Sequence, residues 1–443
     1  MRQPRFIFET VRREVKDYAT YITVPAFLQS FLLGFCLSLF DSTTDFSFAA
    51  SVPFDCPDFF NPNETNSTKA EAEFVYRTIQ DENPCGGVSP ITIQVRTYFF
   101  IALPGLLIML SGFHKMTSSM ARKCCSSCQG PGCPCCGHIT TLLLLTMLLL
   151  LAYAVICLIP RLTPAGSTDR PSDTFPTLSA VAAILSAVGL LGVKLLAVFV
   201  HGPETKKLAV WVTSLEAQHE SALQLSSVLS LVIKSGQYRL IGLLSMASSI
   251  LVLGKAGSEA FLTFGRENRL EAEASLKGKL CLLASLIPVF LLSSFFRVGT
   301  LAVSLAWMWY VSSTLALVAA ATLPPLLVML VLQGCGKLED LEADQMLRGS
   351  VAELVSISLW GSRSWEAGRK INLWMSLYLT LLYTTVLAWV IASPTAHLPE
   401  LMATLHPGWV AAYALRLRLA AASCLALGWT SLPLVVYKLY LLR

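Results

Sequence analysis

Residues 139–160 read ITTLLLLTMLLLLAYAVICLIP, a run with no charged side chain from end to end. A helix needs about 20 apolar residues to cross the hydrocarbon core of a bilayer, and this stretch supplies them. The rest of the 443-residue chain has the same character. It is 54% hydrophobic and only 14% charged, with a mean hydropathy of +0.61, whereas soluble chains carry roughly 25% charge. Backbone amides find no water in lipid, so spanning segments are helices or closed barrels. The alternating pattern of a membrane barrel is absent.

Ten apolar segments follow from the pattern, at about 24–50, 92–113, 139–160, 176–200, 208–233, 239–262, 281–310, 313–333, 371–393 and 407–440. The expected fold is all-α, a polytopic transmembrane bundle of about eight full spans plus half-crossing or re-entrant segments. Residues 1–23 form a cytosolic N-terminal segment, and 24–443 form a single transmembrane domain. The 208–233 segment carries Glu216, His219 and Glu220, so it either dips into the membrane or lines a cavity.

The first 23 residues contain Arg2, Arg5, Arg12, Arg13 and Lys16 with no apolar stretch before them, which excludes a cleavable signal peptide. Basic flanks stay in the cytosol. Loop 51–91 is then extracellular, and it holds the sequons Asn63-Glu-Thr65 and Asn66-Ser-Thr68. Asn61 precedes proline and is excluded. Cys56 and Cys85 share this oxidising loop, and a disulfide between them is preferred over free thiols or a bond to a partner. Continued alternation places Lys206, Lys207, the 266–279 stretch and both termini in the cytosol, with the plasma membrane as the expected location. Arg416 and Arg418 sit awkwardly near the outer end of the last span.

Six of the 13 cysteines lie in KCCSSCQGPGCPCCG (123–137), within the cytosolic loop 114–138. Cys124, Cys125, Cys128, Cys133, Cys135 and Cys136 are candidates for S-acylation, because a juxtamembrane thiol sits at the acyl-chain boundary. Cys125, Cys128, Cys133 and Cys136 also have a spacing that would hold zinc tetrahedrally. The short central loop argues against metal, and a plain loop stays open as a third reading.

Ionisable residues inside the apolar segments bear on function. Asp41 and Asp45 lie four apart in LFDSTTDF, on one helical face. Glu216 and Glu220 repeat the spacing, with Gln224 one turn on. Lys194, Lys255 and Arg297 offer opposite charge. An ionisable group at the bilayer centre costs about 2.5–3.5 kcal/mol on insertion scales, so two acids on one face point inward. For Lys194 and Lys255 the expectation is register-fixing ion pairs or snorkelling. For Asp41, Asp45, Glu216, Glu220 and Arg297 it is a polar internal pathway. A lone helix-end histidine is more often solvated than functional, so His219 is given little weight. No P-loop, metal-protease helix or nucleophile elbow appears, and no catalytic residues, cofactor, metal or nucleic-acid partner are expected.

Together these segments resemble the XK-related family of membrane proteins. LFDSTTDF (39–46) resembles its acidic first-helix motif. SLEAQHESALQLSSVLSLVIKSGQYR (214–239) resembles its most characteristic stretch. FFRVGTLAVSLAWM (295–308) is similar to its arginine-containing helix, and WEAGRKINLWMSLYLTLLYTTVLAW (365–389) to a late helix with a glycine-basic turn. The resemblance implies eight spans and two half-crossing hairpins in two related halves. It also implies phospholipid scrambling between leaflets, caspase activation in some members, and a single-span or peripheral partner. Asp41, Asp45, Glu216, Glu220 and Arg297 fall at the family's charged positions. The chain departs from the pattern in the full hairpin at 139–200, in Leu223 where the family has proline, and in Lys255 standing alone for an acid-and-basic cluster. Ending at Arg443, with no DxxD in the cytosolic loop 334–370, the chain is not expected to be caspase-activated.

Three functions follow as expectations. The first is energy-independent phospholipid scrambling through a furrow lined by Asp41, Asp45, Glu220 and Arg297, where polar groups replace part of a headgroup's hydration. The second is a non-transporting scaffold in which buried charges pair for stability and a loop docks a partner. The third is a small-solute transporter or receptor with spans interrupted near Pro288 or Pro324-Pro325.

Overall fold

A computed structural model describes residues 30–55, 93–106, 174–199, most of 209–236, 239–264, 276–307, most of 365–398, and 407–441. These residues are almost entirely helical and include no strand. The 139–160 and 313–333 segments lie outside the described residues. So do Cys56, Cys85, Asn63, Asn66, the six clustered cysteines and most of loop 334–370. Among the described residues three helices contain stretches long and apolar enough to cross a membrane, Leu178–Phe199, Leu240–Glu259 and Pro407–Thr430, and the chain is a membrane protein.

Helix α1 (Leu37–Asp55) continues from a π-helical turn, Ser30–Cys36. Helix α2 occupies 93–106. Helix α3 (Thr174–Phe199) shows how the sequence divides its faces. Ala183, Ala187, Leu190, Lys194 and Ala197 recur every three or four residues and are buried, whereas Leu178, Val181, Leu185 and Val188 are exposed. An apolar exposed face of that extent is a lipid contact, since a water-soluble protein rarely tolerates it. Small buried residues let neighbouring helices come close. Ala49 of α1 and Tyr98, Ile101 and Ala102 of α2 pack there.

Helix α4 (Ala222–Ser235) is preceded by a π-helical turn, Ala217–Ser221, and is buried on nearly all sides. Other elements therefore pack around it on most sides. Helix α5 (Leu240–Phe264) runs antiparallel to α1, because Asp41 meets Ser249 while Asp45 meets Ser245. Helix α6 (Leu276–Trp307) passes through Pro288 without a break, so no span is interrupted there.

Helices α7 (Trp365–Ala392) and α8 (Pro407–Leu441) complete the described residues. The start of α7 is helix where a loop to residue 370 was expected. Phe296 packs edge-on to Tyr383, and Trp307 donates to the Ser393 carbonyl at 3.0 Å, so α6 and α7 run parallel. Helix α8 runs against α6. Tyr413 donates to the Ala306 carbonyl at 2.7 Å near one end, and Gly299 and Gly428 lie against Cys424 and Phe296 towards the other, with no room for a Cβ.

The turn from α4 into α5 is set by Gly236, whose φ of 73° is left-handed. Its amide donates to the Val232 carbonyl at 2.8 Å and closes the helix. An added Cβ would lie 3.0 Å from Nη1 of Arg416. Gly236→Ala is expected to cost about 1 kcal/mol from backbone strain alone, read as a lower unfolding temperature of the detergent-purified protein. An unchanged transition would refute the assigned turn.

Candidate functional site

The acids of α1 and of the turn before α4 meet in the interior. Ser38, one turn before Asp41, donates to Oε1 of Glu216 at 2.6 Å. Lys194 reaches in from α3 and pairs with Oε2 of the same glutamate, and it also bonds Ser38. One turn on, Asp41 accepts from Ser221 at 2.9 Å and from Ser249 at 3.4 Å. One turn further, Asp45 accepts from Ser245 at 2.6 Å. Thr44 and Ser248 share a hydrogen bond of 3.0 Å between these levels. Glu220 interacts electrostatically with Asp45, Asp41 and Lys194.

The π turn helps to bring this about. The amide of Ala222 bonds the carbonyl of Ala217, five residues back instead of four. The extra residue widens the turn at Glu220 and Ser221, and single π turns are frequent at functional sites. Both residues are buried against α1, with Ser221 bonded to Asp41.

From here a polar stripe continues along α4. Glu216, Glu220, Gln224, Ser227, Ser230 and Lys234 are spaced four, four, three, three and four, the period of one helical face. None is more than 5% exposed. Eighteen residues at 1.5 Å per residue make about 27 Å, close to the hydrocarbon thickness. At the Lys234 end, the side chain has the like charge of Arg96 from α2 as an electrostatic neighbour. Among the described residues several stripe atoms have no hydrogen-bond partner: Glu220 Oε1, both amide atoms of Gln224, and the Ser227 hydroxyl, as well as Asp45 Oδ2 opposite.

The structure thus brings Asp41, Asp45, Glu216 and Glu220 together. Arg297 is buried as well, and the groups beside it include Tyr383 of α7 and His219, which precedes Glu220 in the same turn. His219 was expected at a solvated helix end; it is 1% exposed, because the turn that carries it lies inside the bundle. Nor is the expected furrow open to lipid. Phe48, Val52, Ile93 and Leu231, with Met246 against them, form an apolar cluster shared by α1, α2, α4 and α5 beside the stripe.

Lys194 behaves as a register-fixing partner, joining α3 to Glu216, whereas Lys255 pairs at 2.8 Å with Glu259 one turn along its own helix and so links no two helices. The serines of α5 were not singled out from sequence. Ser245 and Ser249 lie four apart, like Asp45 and Asp41, so an antiparallel helix presents one hydroxyl to each acid. That matched spacing is a legible signal.

Arg416 and Arg418 also find their roles. Arg416 donates to the carbonyls of Ile233 at 3.1 Å and Lys234 at 2.9 Å, at the end of α4. Arg418 donates to the carbonyl of Ile391 at 3.2 Å, at the end of α7. The last four carbonyls of a helix lack partners within it, and a cation there also suits the helix dipole.

What these features define is a helical membrane protein with a charged interior seam. Protein-family models, curated proteins and solved structures were all compared with the chain, and none matches.

Proposed function

We propose that this membrane protein moves phospholipids between leaflets without an energy source, with the headgroup following the polar stripe and the acyl tails staying in lipid. The observation that carries the reading is the stripe itself, six buried polar residues on one face of α4 and the turn before it, over about 27 Å. A bare headgroup crosses hydrocarbon at great cost, and a continuous polar lining lowers that cost. The resemblance of residues 39–46, 214–239, 295–308 and 365–389 to the XK-related family supports the same reading. The described conformation is then the closed one, and α1, α2 and α5 must part from α4 for a headgroup to enter. The plasma membrane is the proposed location, with both termini cytosolic. A single-span or peripheral membrane protein is the proposed partner, and no enzymatic step is part of the mechanism.

Purified protein in liposomes containing fluorescent lipid provides the test. Dithionite is expected to bleach nearly all the fluorescence in active vesicles and about half in protein-free ones. Glu220→Gln is expected to lower the rate at least tenfold at normal expression. Bleaching held at half, beside a working scramblase control, would exclude constitutive activity. The second reading, a non-transporting scaffold, is favoured by one observation, the Lys194–Glu216 pair, which serves stability whether or not anything moves. On that reading Glu220→Gln folds poorly, and no lipid flux is there to lose.

A further inference from the structure

An arginine on a lipid-facing helix calls for a charged partner, and α8 carries one in Arg418. It lies midway along the apolar stretch Pro407–Thr430, and its side chain is exposed, as are Leu415 and Leu419 beside it. Its Nε donates to the Ile391 carbonyl at 3.2 Å. Among the described residues that is the one polar contact of the guanidinium, and the terminal nitrogens Nη1 and Nη2 take no part in it. A carbonyl is neutral, so the bond leaves the charge without an anion. No Asp or Glu occurs in α8, and Glu366, the one acid of α7, stands at the opposite end of that helix from Ile391.

The level of Arg418 in the bundle bears on which anion can reach it. Arg418 bonds the last turn of α7, and Arg416, two residues away, bonds the last turn of α4 beside the turn at Gly236. Two helices ending together place this level towards one face of the membrane, where a long side chain reaches the phosphates. Trp389, two residues before the bonded carbonyl, is exposed too, and tryptophan is enriched where hydrocarbon meets headgroups. We propose that Arg418 holds the phosphate of a phospholipid on the outside of the bundle. Nη1 and Nη2 form a two-pronged donor to it, and an acyl chain lies along Leu415 and Leu419. A guanidinium suits this task better than an ammonium, because its parallel N–H bonds match two phosphate oxygens. The Nε bond to Ile391 holds the fork in place at the α7–α8 contact, so little freedom is lost when lipid docks. This site is separate from the buried stripe and stands whether or not lipid moves through the interior.

Thermal unfolding of the full-length protein, freed of lipid in a non-ionic detergent, tests this. Phosphatidic acid carries phosphate and chains, diacylglycerol the chains alone, and inorganic phosphate the anion alone. Phosphatidic acid is expected to raise the unfolding temperature saturably, while the other two leave it unchanged at the same concentration. Arg418→Gln is expected to weaken the apparent affinity by about tenfold or more, as the loss of charged hydrogen bonds implies. Arg418→Lys should recover part of it, and Thr385→Val on the exposed face of α7 should keep all of it. Should Arg418→Gln fail to fold, Ala422→Glu decides. It sets a carboxylate one turn from Arg418 on the exposed face, and the lipid shift should vanish. The proposal is overturned if phosphatidic acid gives no shift, or if diacylglycerol or inorganic phosphate gives an equal one. A full response in Arg418→Gln or Ala422→Glu also overturns it. So does Glu400→Gln, outside the described residues, if it destabilises the lipid-free protein as much as Arg418→Gln, since the charge then has its partner within the chain.

Discussion

Lys194→Met is expected to destabilise the protein by about 3–5 kcal/mol, the usual cost of removing one partner of a buried ion pair. The substitution nearly preserves volume, so what remains is Glu216 in a sealed interior with only the Ser38 hydroxyl to bond. The measurement is the unfolding temperature and the monodisperse fraction in detergent. Adding Glu216→Gln to the same chain is expected to restore most of the loss, because a neutral amide needs no counter-ion. That recovery separates a charge effect from a packing effect. A single variant as stable as the unaltered protein would show that Lys194 and Glu216 do not pair.

Arg416→Met is expected to cost about 3 kcal/mol. Its guanidinium makes two hydrogen bonds to carbonyls at the end of α4, each worth about 1.5–3 kcal/mol for a charged donor. Partial exposure of the side chain places both at the low end. Unpaired carbonyls at membrane depth have little water to turn to, so the end of α4 is expected to fray, with faster amide exchange at residues 232–236 than at residues 222–228. Arg416→Lys recovers only part of the loss, because one ammonium does not reproduce the planar fork. Fraying confined to the end of α7 would instead assign the role to Arg418, which bonds Ile391 there.

Much of the architecture was readable before any coordinates. The segment expected at 176–200 is a helix over Thr174–Phe199, that at 239–262 is Leu240–Phe264, and that at 407–440 is Pro407–Leu441. Long apolar runs leave the backbone no choice in lipid but to satisfy itself within a helix. The inward orientation of Asp41, Asp45, Glu216 and Glu220 was readable for a related reason, since four acids are too costly to leave in hydrocarbon. The continuation of the stripe through Ser227 and Ser230 to Lys234 was written in the same 3.6-residue period. Serines are common in membrane helices, and that part of the period went unread.

The chain by itself determined that this is a helical membrane protein and which side chains avoid lipid, because both depend only on the transfer of groups out of water along one helix. It did not determine which of those side chains face one another. It did not show that His219 and Tyr383 would lie beside Arg297. Arg416 and Arg418 had no assigned role until their targets appeared at the ends of α4 and α7. Those partnerships rest on the rotation and depth of one helix against another, and these are fixed by packing of small residues such as Gly299 and Gly428 at the α6–α8 contact. A helical period shows which face turns inward; only the assembled bundle decides what waits there.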